Sequence, residues 1–295
     1  MTNLRKGLNS FQVKIIALVF MTIDFIAYHV FIPYQAPNIA FDIFNGLGRI
    51  AAPLFLFILV NSAQYTQSKP KLILRLYITG VIMGLLNASS VRLLPPGFFI
   101  SNNIFPTLMY TVLYIYLVEN IVNSLRNKRY IRSICFVGGF LLTYLPIALE
   151  NWSKRGILTT FPALKENISQ AFLVQDIIKA VAPNILAVEY SVIFVLLGIT
   201  WYFVRNKKVQ CGIFILASVL CYCVISGLFD LPEVVYSHIE TVWHMFSGRQ
   251  YLMILALPFI YLYNGEKGKS VKWLFYIYYP ACQYLLLLIR LLIGV

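Results

Sequence analysis

Long apolar runs alternate along the chain with short polar connections. Runs near the roughly 20 residues that a spanning helix needs lie at 13–34, 47–66, 71–89, 104–125, 133–150, 183–204, 211–228, 248–264 and 272–294. The second and eighth are short. Their recurrence predicts an all-α fold, a polytopic transmembrane helical bundle of about nine spans forming a single integral membrane domain over residues 1–295. Prolines fall inside several runs, at Pro53, Pro106, Pro146, Pro258 and Pro280. Each removes a backbone donor and can open a local gap between helices.

The connections alternate in charge. Arg5, Lys6 and Lys14, then "TQSKPK" with Arg75, "RNKRYIR", "RNKK" and "GEKGKSVK" hold most of the Lys and Arg, and Glu266 is the one carboxylate among them. The other set carries Asp42, Glu150, Glu166, Asp176, Asp230, Glu233 and Glu240. Basic connections stay in the cytoplasm, so the N-terminus is expected there, with a plasma-membrane location. An odd number of crossings then puts the C-terminus outside. The first run is too long for a signal h-region and lacks a small-residue cleavage motif, so it is expected to persist as a helix. Residues 151–182 form a long outer connection, amphipathic in its second half, as for a segment lying along the membrane surface.

Composition agrees with this picture. Hydrophobic residues make up 60% of the chain and charged residues 12%, about half the share in soluble domains, and mean hydropathy is +0.76. A net charge of +13 would suggest nucleic acid in a soluble protein. Here topology accounts for it, and the expected partner is the lipid bilayer, with no nucleic acid. Anionic lipid or a phosphorylated cosubstrate could use the same cations. The five cysteines lie in or beside apolar runs without metal or redox spacing. His238 and His244, six residues apart, do not share a helical face, and no metal site is expected. No sequence feature sets an oligomeric state.

The costliest group is Asp24, about ten residues from either end of the run "KIIALVFMTIDFIAYHVFIPY". A mid-span aspartate costs about 2.5–3.5 kcal/mol on insertion scales and normally faces a bundle interior or a wet cavity. His29 follows five residues later, about 140° around a helix, so the two should not pair; Tyr28 shares the aspartate's face. A partner from another segment is expected, Arg49 or Asn61. Asp24 is then either a functional carboxylate in a polar cavity or a neutral residue tying helices together. In "WLFYIYYPACQYLLLL", Tyr278 and Tyr279 beside Pro280 lie deeper than an interfacial aromatic belt, turned toward a cavity or simply packed.

Four stretches, in order, resemble the TraX family of membrane proteins: "FQVKIIALVFMTIDFIAY", "GRIAAPLFLFILVNSAQYTQSKPKLILRLYITGVIMGLLN", "NIFPTL" and "KWLFYIYYPACQYLLLLI". The family is known for acetylating the N-terminus of F-pilin. The resemblance implies an integral membrane acetyltransferase with acetyl-CoA as cosubstrate. Asp24 matches the family's opening acidic position and Arg49 its arginine at the second helix. Asn61, Asn103, Thr107, Tyr279 and Cys282 fall in the similar stretches as candidate substrate-binding residues. Departures occur where the family has histidine, at Phe25, Tyr65 and Cys282, and where it has an acidic residue, at Asn61. Asp24 and His29 are the remaining intramembrane bases. An acetyl thioester on Cys282 is an alternative, although no base is visibly placed beside that thiol.

Two functions follow as expectations. In the first, acetyl-CoA is held through its phosphates by Lys69, Lys71 and Arg75. Its acetyl group passes to an amine or hydroxyl of a small exported peptide or envelope acceptor, with Asp24, His29 and Arg49 as the catalytic group. In the second, the chain is a catalytically inactive transporter, or a binding or immunity component for a secreted peptide.

Overall fold

The computed structural model describes residues 7–31, 39–95, 98–155, 168–226, 249–269 and 273–293. Among these residues the regular structure is helical, with one isolated bridge between Leu8 and Tyr263. Seven helical stretches are long and apolar enough to cross a membrane. The protein is a multi-pass membrane protein. The expected spans at 183–204 and 248–264 are shorter apolar helices, Val192–Phe203 and Gln250–Leu262. Local chemistry explains both. Asn184 caps a single tight turn at Ile185–Ala187, which delays the first helix, and the second changes from a 3₁₀ segment to an α-helix beside Pro258. The second span is longer than expected, reaching back to Ile39.

The chain forms two compact units. One comprises Met1–Tyr65, Thr200–His238 and Met245–Val295; the other comprises Thr66–Ile199 with Ile239–His244.

In the first unit, helix α1 (Ser10–Ile26) starts at a reciprocal cap between Asn9 and Gln12. It continues as a π-helical turn, Ala27–Phe31. Helix α2 (Ile39–Gly48) and helix α3 (Ala51–Gln64) are separated by a turn at Arg49 and Ile50. Pro53 accounts for the break, because it has no N–H to donate to the Arg49 carbonyl four residues back. α1 packs on α2, on α3 and on the last helix, Leu274–Ile293. The core is aromatic: fully buried Trp201 meets Phe57 edge-on at 5.4 Å and Phe214 at 5.5 Å. The Gln210 side chain donates to the carbonyls of Trp201 and Val204, closing the orphan end of helix Ser191–Phe203.

In the second unit, helix α4 (Lys69–Leu93) packs on α5 (Phe105–Arg126) and on Ile168–Val181, and α5 packs on Tyr130–Leu142. Polar side chains of α4 return hydrogen bonds to their own helix, as Thr79 does to Arg75 and Ser89 to Leu85. A hydroxyl is tolerated in lipid when the helix itself supplies the acceptor. Gly84 lets α4 approach Ala180, where an added methyl would stand 2.8 Å from the alanine Cβ. The amphipathic half of the long connection is thus a helix packed on α4; residues 156–167 of that connection lie outside the described residues.

Candidate functional site

Asp24 is buried in the last turn of α1, with 7% of its surface exposed. It faces α2. The Asn45 amide donates to Asp24 Oδ1 at 3.4 Å. Gly48, one turn on from Asn45, lies against the carboxyl so closely that a methyl there would collide with Asp24 Cβ and Oδ1. Glycine is required at this position by contact. Arg49 follows in the turn and is near enough for its charge to act on Asp24. Its Nη2 donates to Tyr28 Oη at 2.8 Å and its Nη1 to Gln250 Oε1 at 3.5 Å. Gln250 is almost fully buried, at the start of the 3₁₀ segment. One turn of α1, one turn of α2 and the segment after Arg249 therefore converge on a carboxylate and a guanidinium.

The opposite face of α1 meets the last helix, α12 (Leu274–Ile293, after Ser191–Phe203 as α9, Lys207–Ile225 as α10 and Leu257–Leu262 as α11, with Tyr130–Leu142, Leu145–Arg155 and Ile168–Val181 as α6 to α8). Thr22 Oγ1 donates to the Leu18 carbonyl at 2.9 Å and lies 2.8 Å from Tyr278 Oη. Cys282 Sγ reaches the same hydroxyl at 4.0 Å. Phe25, at a position where the family pattern has histidine, packs edge-on against buried Tyr279 at 5.4 Å. His29 is buried in the π turn, which touches both α2 and α12. Its Nδ1 has no hydrogen-bond partner among the described residues. Gln283, one turn after Tyr279, is 1% exposed, and neither its Nε2 nor its Oε1 has a partner among them.

Asn61, the other expected neighbour of Asp24, donates to the Phe57 carbonyl on its own helix. Five expected residues belong to the second unit. Asn103 Nδ2 donates to the Gly80 carbonyl at 2.8 Å, while its Oδ1 and the fully buried Thr107 hydroxyl lack partners among the described residues. Lys69 is paired with Glu119 at 2.8 Å. Arg75 Nε donates to the Lys71 carbonyl, and the Lys71 side chain is exposed. Glu150, read from the sequence as a connecting-loop carboxylate, is buried and accepts from Asn184 at 2.9 Å. Among the described residues no cluster of His, Cys, Asp or Glu suits a metal; His238 and His244 lie outside them.

Asn45, Gly48, Gln250 and Gln283 escape sequence reasoning. Asn45 and Gly48 had a signal, since they stand four and one residues before Arg49 in one apolar helix. Gln250 and Gln283 had only the cost of an amide within an apolar run. Chemically, a shielded carboxylate beside a fixed guanidinium can move a proton and stabilise developing negative charge.

No curated protein and no solved structure matches the chain. The first three resembling stretches fall within the region matched by one family model, and "KWLFYIYYPACQYLLLLI" lies beyond it. That model, described as "TraX protein", covers residues 10–164, more than half of the 295 residues, and the chain belongs to the TraX family.

Proposed function

We propose that the protein is a plasma-membrane acyltransferase that moves an acetyl group from acetyl-CoA to an amine or hydroxyl of a peptide or envelope acceptor. The observation that carries this reading is the convergence of Asn45, Arg49, Tyr28 and Gln250 around the buried Asp24 carboxylate. The Asp24 carboxylate takes a proton from the acceptor as its nitrogen or oxygen attacks the thioester carbon. Arg49, fixed by Tyr28 and Gln250, faces the oxyanion that develops. The C–S bond then breaks, and the proton passes from Asp24 to the departing thiolate, giving the acetylated acceptor and CoA. Lys69, Lys71 and Arg75 are the phosphate partners in this reading, with the N-terminus in the cytoplasm.

The test is transfer from radiolabelled acetyl-CoA to short peptides and a hexosamine by the purified chain. Asp24→Asn is expected to lower the rate about 100-fold or more, the usual scale for loss of a general base. Equal transfer by both proteins removes Asp24 from the chemistry.

A second reading, an inactive binding component for a secreted peptide, is favoured by Phe25, which fills a family histidine position with core packing against Tyr279. It expects no stabilisation of the protein by CoA.

A further inference from the structure

Two buried side chains on α1's π turn and on α12 carry atoms without hydrogen-bond partners among the described residues, His29 at Nδ1 and Gln283 at both Nε2 and Oε1. The two helices run in the same direction. Leu8 and Ser10, just before and at the start of α1, pair with the backbone at Leu262, Asn264 and Glu266, shortly before α12. Further along, Thr22 meets Tyr278 and Phe25 meets Tyr279. Beyond them, Arg290 is within electrostatic range of His29. Gln283 therefore lies in the stretch bracketed by Phe25 and His29, on the buried stripe Tyr279, Gln283 and Leu287.

Both helices are irregular here. Pro280 removes one backbone rung from α12 three residues before Gln283. α1 widens into its π turn just after Phe25, a distortion that recurs at functional sites. A buried primary amide with both atoms open costs more than an aliphatic side chain of the same shape.

We propose that Gln283, with His29 in the same stretch of the interface, is a binding site for an amide group of a ligand that enters between α1 and α12. A secondary amide offers an N–H and a C=O, the two complements that Gln283 lacks. His29 Nδ1 adds one further polar contact. Two sources supply that chemistry. One is the amide of the acyl donor's pantetheine arm that is nearest the thioester; the other is a peptide bond of the acceptor. Naming the source rests on the transfer reading above, whereas the amide site itself does not.

The experiment uses the full chain in nanodiscs with three probes: S-acetyl-N-acetylcysteamine, S-ethyl thioacetate and tri-alanine amide. The second has the same thioester as the first without the amide. Binding is read by equilibrium dialysis for wild type, Gln283→Leu and His29→Phe. An amide-bearing probe is expected to bind the wild type, with affinity falling about tenfold or more in Gln283→Leu and less in His29→Phe, while S-ethyl thioacetate binds weakly to all three. S-acetyl-N-acetylcysteamine as the sensitive probe assigns the site to the donor; tri-alanine amide assigns it to the acceptor.

Ligand-free Gln283→Leu is also expected to unfold about 2–4 °C higher than wild type, because a buried orphan amide is gone. A lower unfolding temperature shows that the amide has structural partners and overturns the proposal. So does equal probe affinity in wild type and Gln283→Leu, or wild type that binds neither amide probe. Amide binding that depends on Gln283, together with no acetyl transfer by wild type, overturns the transfer reading and leaves the amide site standing.

Discussion

The two faces of α1 hold polar groups at similar depth and treat them differently. Toward α2, Asp24 has the Asn45 amide on its carboxylate, and Arg49 has both Tyr28 and Gln250 on its guanidinium. Toward α12, Thr22, Tyr278 and Cys282 share one hydroxyl, while Gln283 and His29 Nδ1 have no partner among the described residues. The first face is preorganised: its charges are held by protein partners alone, as the proposed transfer requires. The second spends stability on unsatisfied atoms, which is what a site waiting for a ligand does. Substitutions on the two faces should therefore change stability in opposite directions.

Arg49→Met tests this most severely. It takes the cation away from Asp24 and removes the donor that Tyr28 and Gln250 accept from. Arg49 is half-buried, and losing hydrogen bonds from a charged donor costs about 1.5–3 kcal/mol, against the gain expected for Gln283→Leu. Denaturant unfolding in detergent measures both. If Arg49→Met unfolds within about 0.5 kcal/mol of wild type, below that range, the guanidinium is solvated and the Asp24 face is not preorganised. Coupling can be read from Arg49→Met combined with Asp24→Asn, where residues sharing a network depart from additivity by about 0.5–3 kcal/mol.

Gly48→Ala is expected to have the next effect. The added methyl collides with the Asp24 carboxyl, and forcing a methyl into a packed site costs about 1–3 kcal/mol. Transfer activity should fall with it, because either α2 or the carboxylate must move. Gly212, inside a helix and with nothing within 4 Å of its absent side chain among the described residues, is the control, and Gly212→Ala should raise stability by about 0.5–1 kcal/mol and leave the proposed activity near wild type.

The sequence made the helices legible because lipid imposes a simple pattern: twenty apolar residues, then charge. It also made Asp24 legible, since a carboxylate at that depth is expensive, and it placed Tyr28 on the same face by helical spacing alone. Partner choice is half legible, because Arg49 does lie within electrostatic range of Asp24. Asn61 and Arg49 were equal candidates by composition, yet Asn61 bonds to its own helix, a local alternative open to any polar side chain in a helix interior. Asn45 was passed over because an asparagine in an apolar helix has no charge to announce it. The two shorter apolar helices lie where spans are expected but fall short of them, because turn chemistry at Asn184 and Pro258, and not hydropathy alone, sets the extent of regular α-helix there. Gln283 was invisible for a different reason. Its meaning lies in bonds that it does not make, and no pattern of residues encodes that.

Thr22→Val probes the α12 face without touching the open amide. The hydroxyl accounts for the contacts to Tyr278 and Cys282, and its loss should cost about 1 kcal/mol. A destabilisation of that size beside a stabilising Gln283→Leu shows two neighbouring polar groups on one interface with opposite roles, one structural and one held open. If both substitutions destabilise alike, the face is an ordinary polar seam and the contrast with the Asp24 face disappears.

The smallest effect is expected at the edge of the Asp24 face. Arg249 pairs with Asp42 at 2.7 Å, both partly exposed, and such pairs contribute about 0.2–1 kcal/mol. Arg249→Met should therefore change unfolding only slightly, and less still in high salt. Its position makes it informative all the same. Arg249 precedes Gln250, which accepts from Arg49, and Asp42 stands one turn before Asn45, which donates to Asp24. The ion pair thus joins the two backbone segments that deliver the partners of Arg49 and Asp24. If it only adds surface charge complementarity, Arg249→Met leaves the kinetics of acetyl transfer unchanged. If it sets the register of Gln250 against α2, the turnover rate falls while stability hardly moves, and Asp42→Asn reproduces the defect. A kinetic loss without a stability loss extends the preorganised face outward to this pair; unchanged kinetics confine it to Asp24 and the four side chains gathered around it.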